Sequence, residues 1–587
     1  MIPLKEMVSR FNPILTNINT KSPLTVGNGG FAFTVDVTGL QSLYSLYESS
    51  SFPLCTMANW AWHKTPLNDG RYYSVDDVCD EKARQWLCQN PHKFNLGRVS
   101  FCYKEQKGLP AREIKPCEIT DINQELLLFE GKIISRFSFR GEKVMVYTVC
   151  DKYSDTVSFE IHSSIPNLGI KIIFPYGHHG ISGSDWSSFD KHITIWEQNS
   201  ENSMDAAVFR RKMDDTEYFV KTQIDGAYEI SNVFLFRYEN HTASQCEIFW
   251  PNDTIRLSVN FSGETDEPEI IPNYSLAAKS ALKDFEDFWN TTCFNIIELL
   301  ENKNHDLLQE ELIRKVVISL YLMKTQAMGS LPPSNSGLAL DSMYGRINLD
   351  MLFWNSAYLA LWNLSDRLEP ILKWLSTILP KAQKLAAKSG YKGARWPRQV
   401  CALGDESPQI SEPLLGLQQL HIIYILEIMY SQNKSKEFLE SYWEIMCETA
   451  DFMADFIERN QETREYQTMP LFYFGLMTAV KWANCLEKEH DFWVNVAKSI
   501  RVEQNSFVQV LKKLLESQKT PDLCGLENEA KSLCEALLDN KEAAIDLLLD
   551  NNSKSQVLPI FLPANGAMLL SASFILFVQY KNKEKNS

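Results

Sequence analysis

The sequence predicts an α+β multidomain protein in which an antiparallel β domain precedes a helical one, and three observations carry that prediction. First, the N-terminal half is punctuated by short β-branched or aromatic runs with no helical pattern between them. Second, apolar spacing changes to the helical period from about Ala277 onward. Third, 587 residues exceed the roughly 250 to 300 at which a single core stops growing. The expected division is 1–265 for the β domain, 266–305 for a linker region with a helix, and 306–587 for the helical domain.

The expected strands include Lys132 to Phe139, Val144 to Val149, Thr156 to His162, Gly169 to Phe174, Tyr218 to Ile224 and Ser244 to Trp250, each bounded by Gly, Asn, Asp or Pro. Strands so spaced pack as a large antiparallel sandwich. Glu264 to Ser275, acidic and carrying two prolines, marks the edge of the linker. Beyond it, Leu312, Val316, Leu320 and Met323 form one helical stripe, and Phe438, Tyr442, Ile445, Thr449, Phe452 and Phe456 another. Helices joined by short loops stack as a bundle, a solenoid or a toroid, and no fixed-period repeat singles out the solenoid.

Composition excludes several functions. Against 58 Lys plus Arg stand 74 Asp plus Glu, a formal net charge of -16, and no basic cluster could track a phosphate backbone, so nucleic acid is not an expected partner. The 13 Cys form no CxxC pair and no zinc-ligand spacing, which points to neither a metal site nor a disulfide framework. Nothing implies a cofactor. Met1 to Asn19 carries Lys5, Glu6 and Arg10 and lacks an apolar core, so a cytoplasmic location is expected. Ala567 to Tyr580 is apolar but shorter than the ~20 residues that span a bilayer, and reads as a core helix.

Candidate chemistry concentrates between Arg346 and Tyr430. Met351 to Trp362 is apolar on nearly every side, as an all-round buried helix is. Sugar recognition needs flat apolar faces for the ring and bidentate hydrogen-bonding groups for the hydroxyls. GARWPRQV supplies Arg395 and Trp396 before Pro397, which pushes them off helical geometry onto a loop. Gln418, Gln419 and His421 follow on a helix that starts near Pro413. Trp354 offers a ring platform, and Arg346 opens the stretch. Plainer roles are open to the same residues: core packing for Trp396 and a structural ion pair for Arg395. Glycosidic hydrolysis usually uses two carboxylates, one a proton donor. Asp350, at the mouth of the buried helix, and Glu406, in the loop GDESPQISEP with Asp405 and Glu412, are the candidates. Asp350 could equally serve the dipole of a helix first turn.

The segments TVGNGGFAFTVDVTGLQSL, NPHKFNLGRVSF, SLPPSNSGLALDSMYGRINLDMLFWNSAYLALWN, GYKGARWPRQV and QQLHIIY resemble a group of six-hairpin glycosidases similar to glycoside hydrolase family 65, over about Leu24 to Leu570. The resemblance implies a β-supersandwich joined through a linker helix to an (α/α)6 toroid. It also implies a carbohydrate partner, an inverting mechanism on an α-linked oligosaccharide with a glutamic acid as proton donor, and water or phosphate as the attacking group.

Departures from the pattern are as informative. Where the relatives read HLEMxWWHxAH, this chain places Asn348 and Asn355 at two histidine positions. A loop of the form GPPLIPAQE, carrying the presumed acid, is absent after Asn460, and a second gap falls before Cys524, so the toroid is expected to be shortened. Three readings follow: an active glycosidase or phosphorylase using Glu406 or Asp350, a carbohydrate-binding relative that does not cleave, and a helical scaffold.

Overall fold

The computed structural model describes all residues except 1–2, 49–51, 107–109, 198–205, 226–234, 239–240, 251–252, 264–270, 293–306, 409–414, 466–467, 503–505, 517–526, 539, 550–561 and 585–587. Glu412, Pro413 and Cys524, together with part of the expected linker, therefore lie outside the described residues.

The N-terminal half is an antiparallel β structure built on a nine-stranded and a five-stranded sheet. The larger sheet runs, in spatial order, Ile14–Leu15, Ile119–Leu127, Lys132–Phe139, Glu142–Cys150, Thr156–His162, Thr254–Ser262, Thr216–Asp225, Ala206–Met213 and His192–Glu197. The smaller includes Leu168–Ile173 paired with Arg98–Tyr103 on one side and His241–Phe249 on the other. The six expected strands fall inside these, with ends displaced by no more than a few residues. Alternation drives the layering: along Thr254–Ser262, Ile255, Leu257, Val259 and Phe261 are all buried.

Helix α1 (Tyr274–Thr292) lies on the larger sheet, where Phe285 packs over the backbone of Gly131 and Trp289 donates from Nε1 to the Leu128 carbonyl at 3.0 Å. Helix α2 (Leu307–Gln326) follows and packs against the strands Leu24–Gly27 and Phe31–Val35. Asp284 of α1 and Lys324 of α2 form a buried ion pair, with Lys152 Nζ 3.2 Å from the other carboxylate oxygen. The neighbouring cations hold the Asp284 carboxyl below its ordinary range although burial acts against them.

The helical ring is built from α3 (Leu352–Ser356), α4 (Ser365–Lys388), α5 (Gln418–Asn433), α6 (Lys436–Arg459), α7 (Met469–Cys485), α8 (Asp491–Ser499), α9 (Phe507–Glu516), α10 (Glu527–Leu537), α11 (Lys541–Leu549) and α12 (Leu562–Glu584). Among them α3, α5, α7, α9, α10 and α12 pack in succession, and α12 returns to α3, closing a ring. Outer helices α4, α6, α8 and α11 sit behind it, with α2 against α11 and α12. Inner and outer helices alternate along the chain except between α9 and α10, where two inner helices follow one another among the described residues. That is the position of the second expected gap, and the inner ring closes across it.

Both helical stripes are buried except at Phe438, which is partly covered. The expected helix Met351 to Trp362 is divided at Ala357 into α3 and a second short helical segment, Tyr358–Leu361, where the ladder tightens as the Ala360 N–H bonds the Ala357 carbonyl three residues back. Helix α12 buries Ala567, Met568, Leu569, Leu570, Ala572 and Ile575 against its neighbours, as a core helix does. Among the described residues no helix is long and apolar enough to cross a membrane.

Candidate functional site

Four short backbone segments meet where the helical ring faces the β domain. Ile347–Asn348 pairs with Gln399–Val400, Ser334 bridges to Ile347, and Val400 bridges to Glu406. This small sheet holds the loop residues that the sequence singles out.

Two ion pairs fix it. Arg395 Nη2 donates to Glu406 Oε1 at 2.7 Å, and Arg398 Nε donates to Asp350 Oδ2 at 2.6 Å. Arg395 and Asp350 are buried, while the Glu406 side chain keeps 16% of its surface exposed. Trp396 is wholly buried; its Nε1 donates to Thr449 Oγ1 at 2.8 Å. Its N–H donates to Gln419 Oε1 at 3.2 Å, and its carbonyl accepts from Gln418 Nε2 at 3.1 Å and Gln419 Nε2 at 2.8 Å. Arg395, Trp396, Glu406, Gln418 and Gln419 are thus brought together, but largely by bonds to one another. Arg346 stands apart, buried against the β domain, where Nη2 donates to the carbonyls of Leu87 at 2.9 Å and Asn90 at 2.6 Å. Its Nε and Nη1 have no partner among the described residues, and burial pushes the guanidinium below its usual range.

Trp354 and His421 face the centre of the helical ring, ring centroids 6.5 Å apart. The cavity there holds only about 130 Å³ and is otherwise lined by Phe353, Leu417, Leu420, Tyr424, Ile428, Leu471, Leu511, Leu533, Leu537, Leu570 and Phe574. Burial lowers the His421 imidazole to about 4, so the ring is neutral at ordinary pH, with Nδ1 3.3 Å from the Leu349 carbonyl. A ring centre of this kind offers sugar hydroxyls few partners.

A larger cleft lies between the β domain and the loops of the helical ring. It holds about 710 Å³ and is lined by Asn59, Trp60, Trp62, Lys64, Asp155 and Asp215 from the β side and by Ser330, Leu331 and Cys401 to Leu403 from the helical side. Both tryptophans are half-buried and each is backed on one side: Gly263 lies against the Trp60 ring, and Lys93 Nζ is 5.6 Å from the centroid of Trp62. Trp60 Nε1 donates to Asp155 Oδ2 at 2.8 Å, while Asn28 Nδ2 lies 3.3 Å from Oδ1. Burial raises the Asp155 carboxyl above its ordinary value, these two donors opposing the shift. Lys93, fully enclosed behind Trp62, is lowered to about 8 by burial, and the Asp341 carboxyl is raised well above its range by the same cause. The alternating tryptophans of NWAWHK are the sequence signal for this wall; on a strand-rich stretch they read as core.

No family model matches the sequence, and no curated protein matches it. Solved structures do. A candidate kojibiose phosphorylase from the human microbiome superposes with a TM-score of 0.63 at 10% identity, covering 96% of this chain and 88% of its own. A bacterial glucoamylase complexed with acarbose superposes with a TM-score of 0.53 at 9% identity, covering 96% of this chain and 97% of its own. The chain has an (α/α)6 glycosidase-type fold. In this chain the fold keeps a closed inner ring while the turn Gln461–Glu465 leads from α6 almost directly to α7.

Proposed function

We propose that the protein binds an α-linked oligosaccharide in the cleft between its β domain and its helical ring, and does not cleave it. The observation that carries this reading is the contrast between the two recesses. The cleft of about 710 Å³ offers two half-exposed indole rings beside carboxylate, amide and ammonium groups, whereas the ring centre is a small apolar cavity. Indole faces pack against the C–H faces of a sugar ring, and carboxylates and amides pair with its hydroxyls. Turnover asks for a proton donor whose carboxyl oxygen is free to reach the glycosidic oxygen. Each of the two acids the sequence nominates is tied into the small sheet through one oxygen, Glu406 Oε1 by Arg395 and Asp350 Oδ2 by Arg398, and neither is among the residues that line the cleft. Arg346, Trp354, Arg395, Trp396, Gln418, Gln419 and His421 then support the wall of the cleft or the ring behind it instead of meeting the sugar first.

Titration of the intact protein with maltose, nigerose, kojibiose and trehalose, followed by tryptophan emission and calorimetry, tests the reading. Binding is expected for at least one disaccharide, and Trp62→Ala is expected to weaken it by about tenfold, equivalent to ~1.4 kcal/mol. Absence of binding across the panel, or binding untouched by Trp62→Ala, defeats it. Release of monosaccharide or sugar phosphate, abolished by Glu406→Gln, would establish catalysis in its place.

A further inference from the structure

Three side-chain amides converge on one sulfur atom. Asn335 Nδ2 and Asn348 Nδ2 each lie 3.8 Å from Met343 Sδ, and Gln399 Nε2 lies 3.6 Å from it. The small sheet explains the convergence. Asn348 is directly opposite Gln399 in the antiparallel pair, so both amides rise from the same face, and the bridge from Ser334 to Ile347 brings Asn335 alongside.

The match is chemically poor. A thioether is a weak acceptor and cannot donate, so it answers only half of what an amide offers. The other half goes unanswered: Asn335 Oδ1 and Asn348 Oδ1 are buried without a partner among the described residues. Asn348 itself is only 2% exposed. Both oxygens of the enclosed Asp341 carboxyl, on the same loop, are likewise without a partner among the described residues. Buried polar groups in folded proteins are nearly always satisfied, so a cluster whose oxygens find no protein partner has hydrogen-bonding capacity open to water or to a polar ligand.

Met343 is held against these amides by a strained backbone. Met343 (φ 50°, ψ 40°) and Tyr344 (φ 62°, ψ 24°) both occupy the left-handed region, followed by Gly345 at φ 65°. Consecutive left-handed residues that carry a Cβ are disfavoured and persist only where the surroundings impose them. The Met343 residue is nevertheless 47% exposed, so the turn that carries it borders solvent. A turn that strains itself to set a weak acceptor on three good donors has a better-bonded alternative once those donors find another partner.

We propose that the amides of Asn335, Asn348 and Gln399 form a subsite for the adjacent hydroxyls of a sugar ring, and that Met343 occupies this subsite in the free protein. A hydroxyl accepts from an amide NH2 and donates to an amide carbonyl, so two neighbouring hydroxyls satisfy both halves of the Asn335 and Asn348 side chains where a sulfur satisfies one. Binding lets the turn 342–345 leave its left-handed conformation and lifts the Met343 thioether off the three amides. The ligand class rests on the carbohydrate reading proposed above, but the subsite is separate from the Trp62 wall of the cleft and is read out separately.

The test uses the full chain labelled with 13C at the methionine methyl groups, with the Met343 signal assigned by its loss in Met343→Leu, and the four disaccharides named above. A sugar that binds the subsite is expected to shift the Met343 methyl signal from its free-state position toward that of a methionine free of side-chain contacts. Met343→Ala, which removes the competitor, is expected to tighten binding about fivefold or more, and adding Asn348→Ala to it is expected to cancel the gain. A Met343 signal and a Met343→Ala affinity both unchanged, while tryptophan emission responds to the sugar, overturns the subsite and leaves the cleft intact. Tight binding by Met343→Ala that is indifferent to Trp62→Ala supports the subsite and overturns the cleft. No response of either reporter in either protein overturns both. Should Met343→Ala fail to fold, the methyl signal of the unsubstituted chain decides alone.

Discussion

Gln419 grips the peptide of Trp396 at both ends: its Oε1 accepts the Trp396 N–H at 3.2 Å and its Nε2 donates to the Trp396 carbonyl at 2.8 Å. Both residues are buried, so neither peptide group has water to turn to. Gln418 gives the same carbonyl a second donor at 3.1 Å but offers the N–H nothing. Gln419→Leu is therefore expected to destabilise the fold by ~1–3 kcal/mol, the cost of an unpaired buried donor, and Gln418→Leu by less. Urea unfolding of the two variants checks the order; equal losses would contradict it.

The Arg395–Glu406 pair ties the loop that follows α4 to the small sheet, with Arg395 buried and Glu406 partly so. Removing one member of such a pair leaves the other charge poorly solvated. Arg395→Ala is expected to cost ~3 kcal/mol, and the double variant Arg395→Ala, Glu406→Ala less than the sum of the single losses. A double-mutant cycle in chemical unfolding measures the coupling, and strict additivity would mean that the pair is held by the loop and does not hold it.

His421 makes stability pH-dependent in a definite direction. Its folded value is lowered to about 4, against 6.5 for an exposed imidazole, so between these values the unfolded chain binds the proton more readily. The stability associated with the neutral ring is fully present above pH 6.5 and is lost as pH falls toward 4, about 2 kcal/mol of it by pH 5. His92, lowered well below its usual value, and His192, lowered to about 3, act in the same direction through burial. Comparing urea midpoints at pH 7.5 and pH 5.0, His421→Leu is expected to reduce the drop without abolishing it. An unchanged drop would mean that the ring centre admits water.

The two halves of the fold were legible because burial writes a period into the chain. Thr156–His162 and the stripe from Leu312 to Met323 show their packing faces directly in residue spacing. The closure of the inner ring across the α9–α10 junction was not legible, since it depends on which helices meet and not on what any one of them contains. The same limit governs the site. Gln419 and Arg395 are the residue types that a sugar requires, and equally those that a buried peptide or carboxylate requires; only the fold decides which partner is near. Trp60 and Trp62 are illegible as a wall for the opposite reason, because aromatic residues beside strands are ordinary core material until a cleft opens against them. Met343 carried no signal at all, its position being set by a left-handed turn and by three amides distant from one another in sequence.

Gly566 sets how closely the ring can close. It lies in the first turn and a half of α12, and a Cβ built there would stand 2.1 Å from the Trp354 carbonyl oxygen and 3.2 Å from Asn355 Cα. Both contacts are backbone atoms of α3, so no side chain can rotate away to make room. Just past the turn that follows α3, Trp362 ties the same region to α12, its Nε1 donating to the Leu569 carbonyl at 3.0 Å. Gly566→Ala forces α12 away from α3, which strains this hydrogen bond and opens the apolar cavity that Trp354 and Leu570 share. The gain in helix propensity from Gly to Ala, up to ~1 kcal/mol, opposes a steric cost of ~1–3 kcal/mol or more. Net destabilisation is therefore expected in urea unfolding, together with a change in the emission of the tryptophans at the α3–α12 contact. A stabilised Gly566→Ala protein would mean that α12 packs against α3 less closely than the present geometry requires.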